Sequence, residues 1–287
     1  MTRPRPDSES SFDFEGRRLA YSVFGEGPKV TLLVHGLLLN QSMHAPLARH
    51  LSERGHRVIT LDLLGHGRSE RPSDMGEYSM PFFGRQVVGA LDHLGIDEAV
   101  VGGTSLGANV TLEVASAAPE RLRGMLIEMP VLDNALLGCA LAFTPMMTVM
   151  TVGGPVMKVV QALARLIPNE RLPFLADVGL QTLQQDPAPS GAVLQGLFFG
   201  RVAPHRNERR TFQAPALIIG HHRDPVHPFS DSDALLNELP NARLVEAGHI
   251  LEMRLAPQVM TREIAGFVDE CWKPAPAKPR ASRRKAS

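Results

Sequence analysis

The chain has 287 residues, a length that fits one large domain with an insertion better than two small domains. Hydrophobic residues make up 44% of the sequence and charged residues 21%, which excludes fibrous proteins and a largely disordered chain. The 30 basic and 30 acidic residues cancel, and we expect no nucleic-acid partner.

The charge is unevenly distributed at the end of the chain. Residues 273–287 contain six Lys or Arg and no acidic residue, so residues 1–272 keep 24 basic and 30 acidic residues and a net charge of −6. We predict a solvated, disordered basic tail there, with weak attraction to anionic surfaces as the alternative. Residues 1–11 are predicted to be a flexible N-terminus, and they lack the apolar stretch of a signal peptide. The two cysteines are far apart in the sequence, so we expect no disulfide. Together these features predict a cytoplasmic protein.

Short apolar runs alternate with amphipathic stretches along most of the chain. Residues 12–24 predict an antiparallel hairpin at a sheet edge. Predicted parallel strands follow at 30–34, 58–61, 99–101, 125–127, 216–219 and 244–245, and predicted helices lie at 45–54, 81–94, 106–118, 230–239 and 257–270. Continuous apolar runs are typical of strands buried on both faces, so the pattern predicts an α/β fold with a mostly parallel, eight-stranded sheet flanked by helices.

The alternation stops between residues 133 and 205, which predicts a helical cap inserted after strand 6, with the core formed by 12–132 and 206–272. Within it, residues 134–156 carry no charge and are long enough to cross a bilayer. Because Pro145 and Gly153 interrupt this run, an apolar lid is favoured over a spanning helix, and we expect no stable membrane insertion.

A strand that ends in Gly103-Thr104-Ser105-Leu106-Gly107 and continues into a helix is the most informative motif. A sharp turn between strand and helix exposes the serine hydroxyl, and close backbone approaches require glycine on both sides. The motif predicts Ser105 as a nucleophile.

A serine nucleophile needs a base and an acid that orients the base. His249 directly follows the last strand and is predicted to be the base. Asp224, after the preceding strand, is the predicted acid, and Glu128 at the end of an earlier strand is its rival. His221, His222 and His227 crowd the loop around Asp224, but their spacing fits no standard metal site, so we expect no metal.

These motifs, together with Val34-His35-Gly36-Leu37 and the segment from Asp62 to Ser69, resemble the α/β-hydrolase superfamily over roughly residues 12–272. The resemblance implies an oxyanion hole formed by the backbone N–H groups of Leu37 and Leu106. It also implies hydrolysis of a carboxylic ester, lactone or thioester through an acyl-enzyme, without any cofactor. Haloalkane dehalogenases and epoxide hydrolases have aspartate in place of Ser105, which makes those activities a poor fit.

The apolar cap predicts a small apolar ester-type substrate as the partner, because a cap in this position would cover the nucleophile. The residues predicted to line the pocket are Leu38, Phe143, Met146, Met147 and Met150. Two alternatives to hydrolysis remain: an acyltransferase that uses the same residues, and a ligand receptor on a hydrolase scaffold. The sequence does not distinguish these three functions. The oligomeric state is left open.

Overall fold

The computed structural model describes residues 4–167, 174–222, 224, 226–248 and 258–273. Eight strands form one sheet, and their order across the sheet is β1-β2-β4-β3-β5-β6-β7-β8. The strands are β1 Ser8–Phe14, β2 Arg17–Phe24, β3 Val30–Val34, β4 Arg57–Asp62, β5 Ala99–Thr104, β6 Leu122–Glu128, β7 Ala216–His221 and β8 Ala242–Ala247. Strand β2 runs antiparallel to both β1 and β4, and all other pairings are parallel.

Helices connect and cover these strands. They are α1 Ala45–Ser52, α2 Met80–His93, α3 Leu106–Ala117, α4 Leu136–Val152, α5 Gly154–Arg165, α6 Phe174–Leu183, α7 Pro187–Phe198, α8 Arg206–Arg209, α9 Phe229–Glu238 and α10 Gln258–Cys271. The fold class predicted from the sequence is confirmed, because the sheet is mostly parallel and the helices flank it.

The central strands are buried because both of their faces pack against helices. Every residue of β3, β5 and β7 is buried, which explains why these segments are continuous apolar runs rather than alternating ones. Strand β8 lies at the sheet edge and is only partly buried. It begins two residues before the predicted segment and ends two residues after it, because the partly exposed edge needs fewer apolar residues and gives a weaker pattern.

The helices α4 to α7 follow β6, and two buried polar side chains fix the points where this insertion leaves and rejoins the sheet. Asp231, fully buried in α9, accepts the backbone N–H groups of Leu132, Asn134 and Ala135 at 2.7, 3.0 and 3.1 Å. Asn109 of α3 donates to the carbonyl oxygen atoms of residues 131 and 202, at 2.7 and 2.8 Å. Hydrogen bonds to buried backbone groups of this kind hold the insertion over the carboxyl ends of the strands.

Candidate active site

The candidate site lies where the chain leaves the carboxyl ends of β3, β5, β6 and β7. In a parallel sheet these ends share one edge, which is where ligands bind in open α/β folds. Four segments with chemically active side chains meet there: the His35-Gly36 turn, Ser105, Glu128 and the loop after His221.

Ser105 occupies a strained turn between β5 and α3. Its φ of 56° and ψ of −107° lie in a region that residues with a Cβ rarely adopt. The turn is tight because two glycines pack against β3: a Cβ on Gly103 would lie 2.2 Å from the carbonyl oxygen of Val34, and one on Gly107 would lie 2.1 Å from the same atom. The close approach predicted for both glycines is therefore present.

The hydroxyl of Ser105 is hydrogen-bonded to a histidine. Its Oγ lies 2.8 Å from Nε2 of His227, and Nδ1 of His227 lies 2.8 Å from Oδ2 of Asp224. A neutral imidazole with its proton on Nδ1 donates to the carboxylate and leaves Nε2 free to accept the serine proton. The three side chains thus form a continuous hydrogen-bonded chain from hydroxyl through imidazole to carboxylate.

The loop geometry explains why Asp224 and His227 meet. The other carboxylate oxygen of Asp224, Oδ1, accepts the backbone N–H groups of Val226 and His227 at 2.8 and 3.0 Å, which bends the chain back on itself. Burial raises the pKa of Asp224, but the hydrogen bond from His227, the electrostatic attraction between the two side chains and these two backbone donors outweigh it and leave the pKa below its usual value. Asp224 is therefore held ionised beside the imidazole.

His249, the histidine chosen as the base from the sequence, lies outside the described residues. The nearest described position is Gly248, just past β8, and the N–H of His222 donates to the carbonyl oxygen of Ala247 at 2.9 Å. The chain thus enters the segment of His249 beside the loop that holds Asp224. Sequence reasoning missed His227, and the signal that could have found it is the Asp-x-x-His spacing in the loop that follows β7.

The other two histidines of this loop have separate partners. His221 lies 3.2 Å from Oε1 of Glu128, and Nε2 of His222 lies 3.0 Å from Oε2 of Glu246. The three imidazoles are therefore bound to three different carboxylates. Among the described residues, no group of three or more His, Cys, Asp or Glu is placed to hold a metal ion.

Glu128, the rival acid, is buried beneath the nucleophile turn. The hydroxyl of Thr104 donates to its Oε2, its backbone carbonyl accepts the N–H of Ser105 at 2.8 Å, and His221 is its imidazole neighbour. No described contact joins Glu128 to His227. Among the described residues, its contacts support the turn that carries Ser105.

The two residues predicted to form the oxyanion hole flank the nucleophile from different elements. Leu106 is the first residue of α3, so its N–H has no carbonyl partner one turn earlier within the helix. Leu37 follows the His35-Gly36 turn, which the ring of His35 braces: Nδ1 lies 2.8 Å from the carbonyl oxygen of Gly36, and Nε2 accepts the N–H of Leu63 at 3.1 Å.

The cap holds the same loop from the other side. Nε2 of the buried Gln185, just after α6, donates to the carbonyl oxygen of Leu38 at 2.6 Å, and Gln181 of α6 contacts the side chain of Asn40. Leu38 has a φ of 58°, so this hydrogen bond fixes a residue in the left-handed region. The loop containing Leu37 is thereby clamped between the core and the cap.

The predicted pocket residues lie on two parts of the chain. Leu38 is buried, whereas Phe143, Met146, Met147 and Met150 are half-buried on α4. Of these five, Met150 alone lines an open cleft of about 490 Å³ between α4, α5 and α7, together with Lys158, Pro187 and Gly191 among others. Ser105 is not among the residues that line this cleft. A shared pocket of these five residues at the nucleophile stays a prediction.

Comparisons with known proteins agree with this architecture. A family model described as the α/β-hydrolase fold matches residues 29–147. The chain is 30% identical over 264 residues to the dihydrolipoyllysine-residue acetyltransferase component of the acetoin cleaving system of Pseudomonas putida, covering 85% of this chain and 65% of that protein. The chain thus spans less than two thirds of that relative's length.

Two solved structures show the likeness over nearly the whole chain. The enol-lactonase from Burkholderia xenovorans is 22% identical, with a TM-score of 0.74 and coverage of 91% of this chain and 100% of that one. A thermophilic esterase from Thermogutta terrifontis is 20% identical, with a TM-score of 0.72 and coverage of 93% and 100%. Sheet order, the strained serine turn and these likenesses lead to one conclusion: residues 29–147 match the α/β-hydrolase family model, and the described part of the chain has the α/β-hydrolase fold.

Proposed function

We propose that this protein hydrolyses carboxylic esters, lactones or thioesters of apolar character through an acyl-enzyme formed on Ser105. The observation that carries the proposal is the hydrogen-bonded chain from Ser105 Oγ through the imidazole of His227 to the Asp224 carboxylate, with both distances at 2.8 Å. Such a chain turns a weakly nucleophilic hydroxyl into a nucleophile, because the imidazole accepts its proton during attack.

The proposed reaction has two halves. Oγ of Ser105 attacks the substrate carbonyl carbon while Nε2 of the imidazole takes the hydroxyl proton, and the N–H groups of Leu37 and Leu106 bind the resulting oxyanion. The tetrahedral species expels the leaving alkoxide or thiolate, which receives the proton from Nε2. A water molecule then attacks the acyl-enzyme with the same imidazole as base, and the carboxylic acid is released. These steps require no metal or cofactor.

Two histidines, His227 and His249, are candidates for the base in this proposal. The described hydrogen bonds favour His227. His249 is the second candidate, because β8 pairs with β7 up to Ala247, and His249 follows only two residues later. Both imidazoles would use the same Ser105 and Asp224, so the reaction is unchanged by the choice.

An apolar substrate is supported by the composition of the cap. No charged residue occurs between residues 134 and 157, and Met150 lines the open cleft there. Acyl transfer to an alcohol or thiol acceptor is the alternative reaction of the same acyl-enzyme. Similarity to a relative named as an acetyltransferase supports this alternative.

A cytoplasmic location belongs to the proposal and is supported by the free thiols of Cys139 and Cys271.

The test is a panel of aryl esters from acetate to octanoate, with lactones alongside and with an added alcohol acceptor in a parallel series. We expect turnover that rises from acetate toward the longer acyl groups, and labelling of Ser105 by a fluorophosphonate. Ser105→Ala should abolish labelling and lower kcat by roughly 10⁴- to 10⁶-fold. Ser230→Ala, at an exposed position of α9, is the matched control. Robust ester turnover by Ser105→Ala would refute the proposal, and a preference for the alcohol acceptor would redefine the activity as acyl transfer.

A further inference from the structure

Helix α4 is apolar, yet more than half of its residues are exposed and the others are only half-buried. It has no buried side chain, and an 18-residue stretch within Asp133–Val152 has a mean hydropathy of 1.8 with only 6% of its residues buried. An apolar helix in a protein core would be mostly buried. A large exposed apolar surface on a folded protein marks a site of interaction.

The exposed side chains form two stripes on neighbouring helices. Along α4 the stripe runs through Leu137, Leu141, Val149 and Val152, and along α5 and its end it runs through Val156, Val159, Leu163 and Leu166. The spacing is three or four residues on α5, and on α4 it is three, four or eight residues, which places each set on one side of its helix. Exposed fractions reach 72% at Leu137, 77% at Val152 and 78% at Leu166. We call these eight residues the apolar cap face.

The polar groups of α4 offer little to a protein partner. The hydroxyl of Thr148 donates to the carbonyl oxygen of Thr144 at 2.9 Å, and that of Thr151 donates to the carbonyl oxygen of Met147 at 2.8 Å. Both donors are thus satisfied within the helix, as threonine is in helices surrounded by lipid. Protein interfaces average about one hydrogen bond per 100–200 Å², and α4 has few groups left to supply them.

The charges within the two helices that carry the apolar cap face are all positive. Between residues 134 and 167 the sequence has two charged residues, Lys158 and Arg165, and no acidic one. Both lie on the exposed part of α5, next to its apolar stripe. The basic residues 273–287 add six more positive charges, although the rest of the chain has a net charge of −6. An apolar stripe flanked by basic residues is the pattern of helices that lie on anionic lipid surfaces.

We propose that the apolar cap face docks on the surface of an anionic lipid bilayer, with α4 and α5 lying in the interface. Helix α4 does not leave the protein to do this, because α7 holds it: Nε2 of Gln195 donates to the hydroxyl of Thr151 at 3.1 Å, and a Cβ on Gly191 would lie only 3.6 Å from that of Met150. Docking in the plane of the interface keeps these contacts, whereas crossing the bilayer would break them.

Vesicle flotation with the full chain tests the proposal. Vesicles of phosphatidylcholine alone are compared with vesicles of phosphatidylcholine mixed with phosphatidylglycerol. We expect binding to the mixed vesicles that weakens with added salt. The pair Leu137→Glu with Leu141→Glu should lower the partition coefficient by about 100-fold, since each leucine no longer inserts. Lys158→Glu with Arg165→Glu should remove the preference for the anionic vesicles.

The controls separate docking from folding and from catalysis. Val259→Glu, at an exposed position of α10, introduces the same charge outside the cap and should leave vesicle binding unchanged. Turnover of a short soluble ester should be unchanged in every variant, because none of these residues contacts Ser105, His227 or Asp224. Thermal unfolding should be unchanged in the leucine and Val259 variants and should change little in the variant at positions 158 and 165, which loses the 3.3 Å hydrogen bond from Arg165 to the carbonyl oxygen of Gln184. Vesicle binding does not depend on the proposed hydrolysis, so failure of the docking proposal is distinguishable from failure of the proposed function.

Three outcomes would overturn the proposal. If the protein with both Leu137→Glu and Leu141→Glu binds vesicles as strongly as the parent protein, the apolar cap face is excluded as the docking surface. A dimer in light scattering that this pair dissociates, without vesicle binding by the parent protein, would assign the face to a second copy of the chain. A monomer that binds no vesicles would mean that another segment of the same chain covers it.

Discussion

The proposed base for Ser105 has two candidates, His227 from the described hydrogen bonds and His249 from the sequence, and substitution of the two histidines decides between them. His227→Gln removes the imidazole whose Nε2 lies 2.8 Å from Ser105 Oγ, and His249→Gln removes the imidazole favoured by its place after the last strand. Glutamine keeps an amide donor near Asp224 but does not accept a proton at neutral pH. If His227 is the base, we expect His227→Gln to lower kcat for an aryl ester by about 10⁴- to 10⁶-fold.

The same substitution should affect stability only modestly. It replaces one charge-assisted hydrogen bond to Asp224, worth about 1.5 to 3 kcal/mol. The carboxylate keeps the backbone donors of residues 226 and 227 at 2.8 and 3.0 Å, so it is not left unpaired. For a chain of this size the loss corresponds to a decrease in Tm of roughly 3 to 12 °C. A loss of activity without unfolding therefore reports on chemistry.

The assay is steady-state hydrolysis of a soluble aryl butyrate together with the rate of fluorophosphonate labelling. His222→Gln is the matched control, because His222 lies in the same loop but is exposed and bound to Glu246. It should stay within about threefold of the parent protein, as a surface substitution away from the reacting atoms does. Activity of His227→Gln within tenfold of the parent, with a loss of about 10⁴-fold in His249→Gln, would refute the assignment to His227 and restore the sequence prediction.

Three further predictions follow from buried polar groups. Gln185→Met should lower kcat about tenfold with little change in KM in steady-state assays, because the loop containing Leu37 loses its 2.6 Å hydrogen bond from the cap and one oxyanion donor becomes less well placed. Asp231→Ala should lower the free energy of unfolding in urea by about 3 kcal/mol or more, because three backbone N–H groups lose their acceptor. Burial lowers the folded-state pKa of His35 and His66 below the ordinary value of 6.5, so the stability they confer is present above pH 6.5 and is lost as the pH falls toward the folded-state pKa values. Calorimetry between pH 8 and 5 should show a falling Tm, and the fall should be smaller in His66→Asn.

Much of the architecture was predictable because burial leaves a simple pattern. The central strands are buried on both faces, and this requires continuous apolar runs that stand out in the sequence. The turn at Ser105 was predictable for a steric reason, since only glycine fits at positions 103 and 107 against the carbonyl oxygen of Val34. Local chemistry thus determined both features.

The contacts that the sequence did not reveal depend on loop conformation and on the cap. His227 reaches Ser105 only because the carboxylate of Asp224 turns the loop with backbone hydrogen bonds. The sequence does not reveal this turn, so it did not single out His227 among the eleven histidines. The cap was predicted as an apolar lid over the nucleophile. Its apolar composition is real, but α4 has no buried side chain and its outer stripe faces outward, because hydrophobicity alone does not say what covers a helix.

The acid of the candidate site can be tested with a matched pair of isosteric substitutions. Asp224→Asn keeps an acceptor for the backbone N–H groups of residues 226 and 227 but removes the charge beside the imidazole of His227. An amide also presents a donor to Nδ1, which favours the tautomer with its proton on Nε2 and thus blocks acceptance of the Ser105 proton. We expect kcat to fall by on the order of 10⁴-fold.

Glu128→Gln is the partner experiment, because Glu128 is the rival acid and is equally buried. Its carboxylate contacts Thr104 and His221 rather than His227, and its backbone carbonyl, which holds the N–H of Ser105, is retained in the variant. We therefore expect a loss of about tenfold or less in kcat, accompanied by a lower Tm, because a buried hydrogen bond is weakened while the base keeps its acid. If Glu128→Gln instead loses about 10⁴-fold while Asp224→Asn stays within tenfold of the parent, the acid must be reassigned to Glu128. The 2.8 Å contact between Asp224 and His227 would then serve the loop rather than the reaction.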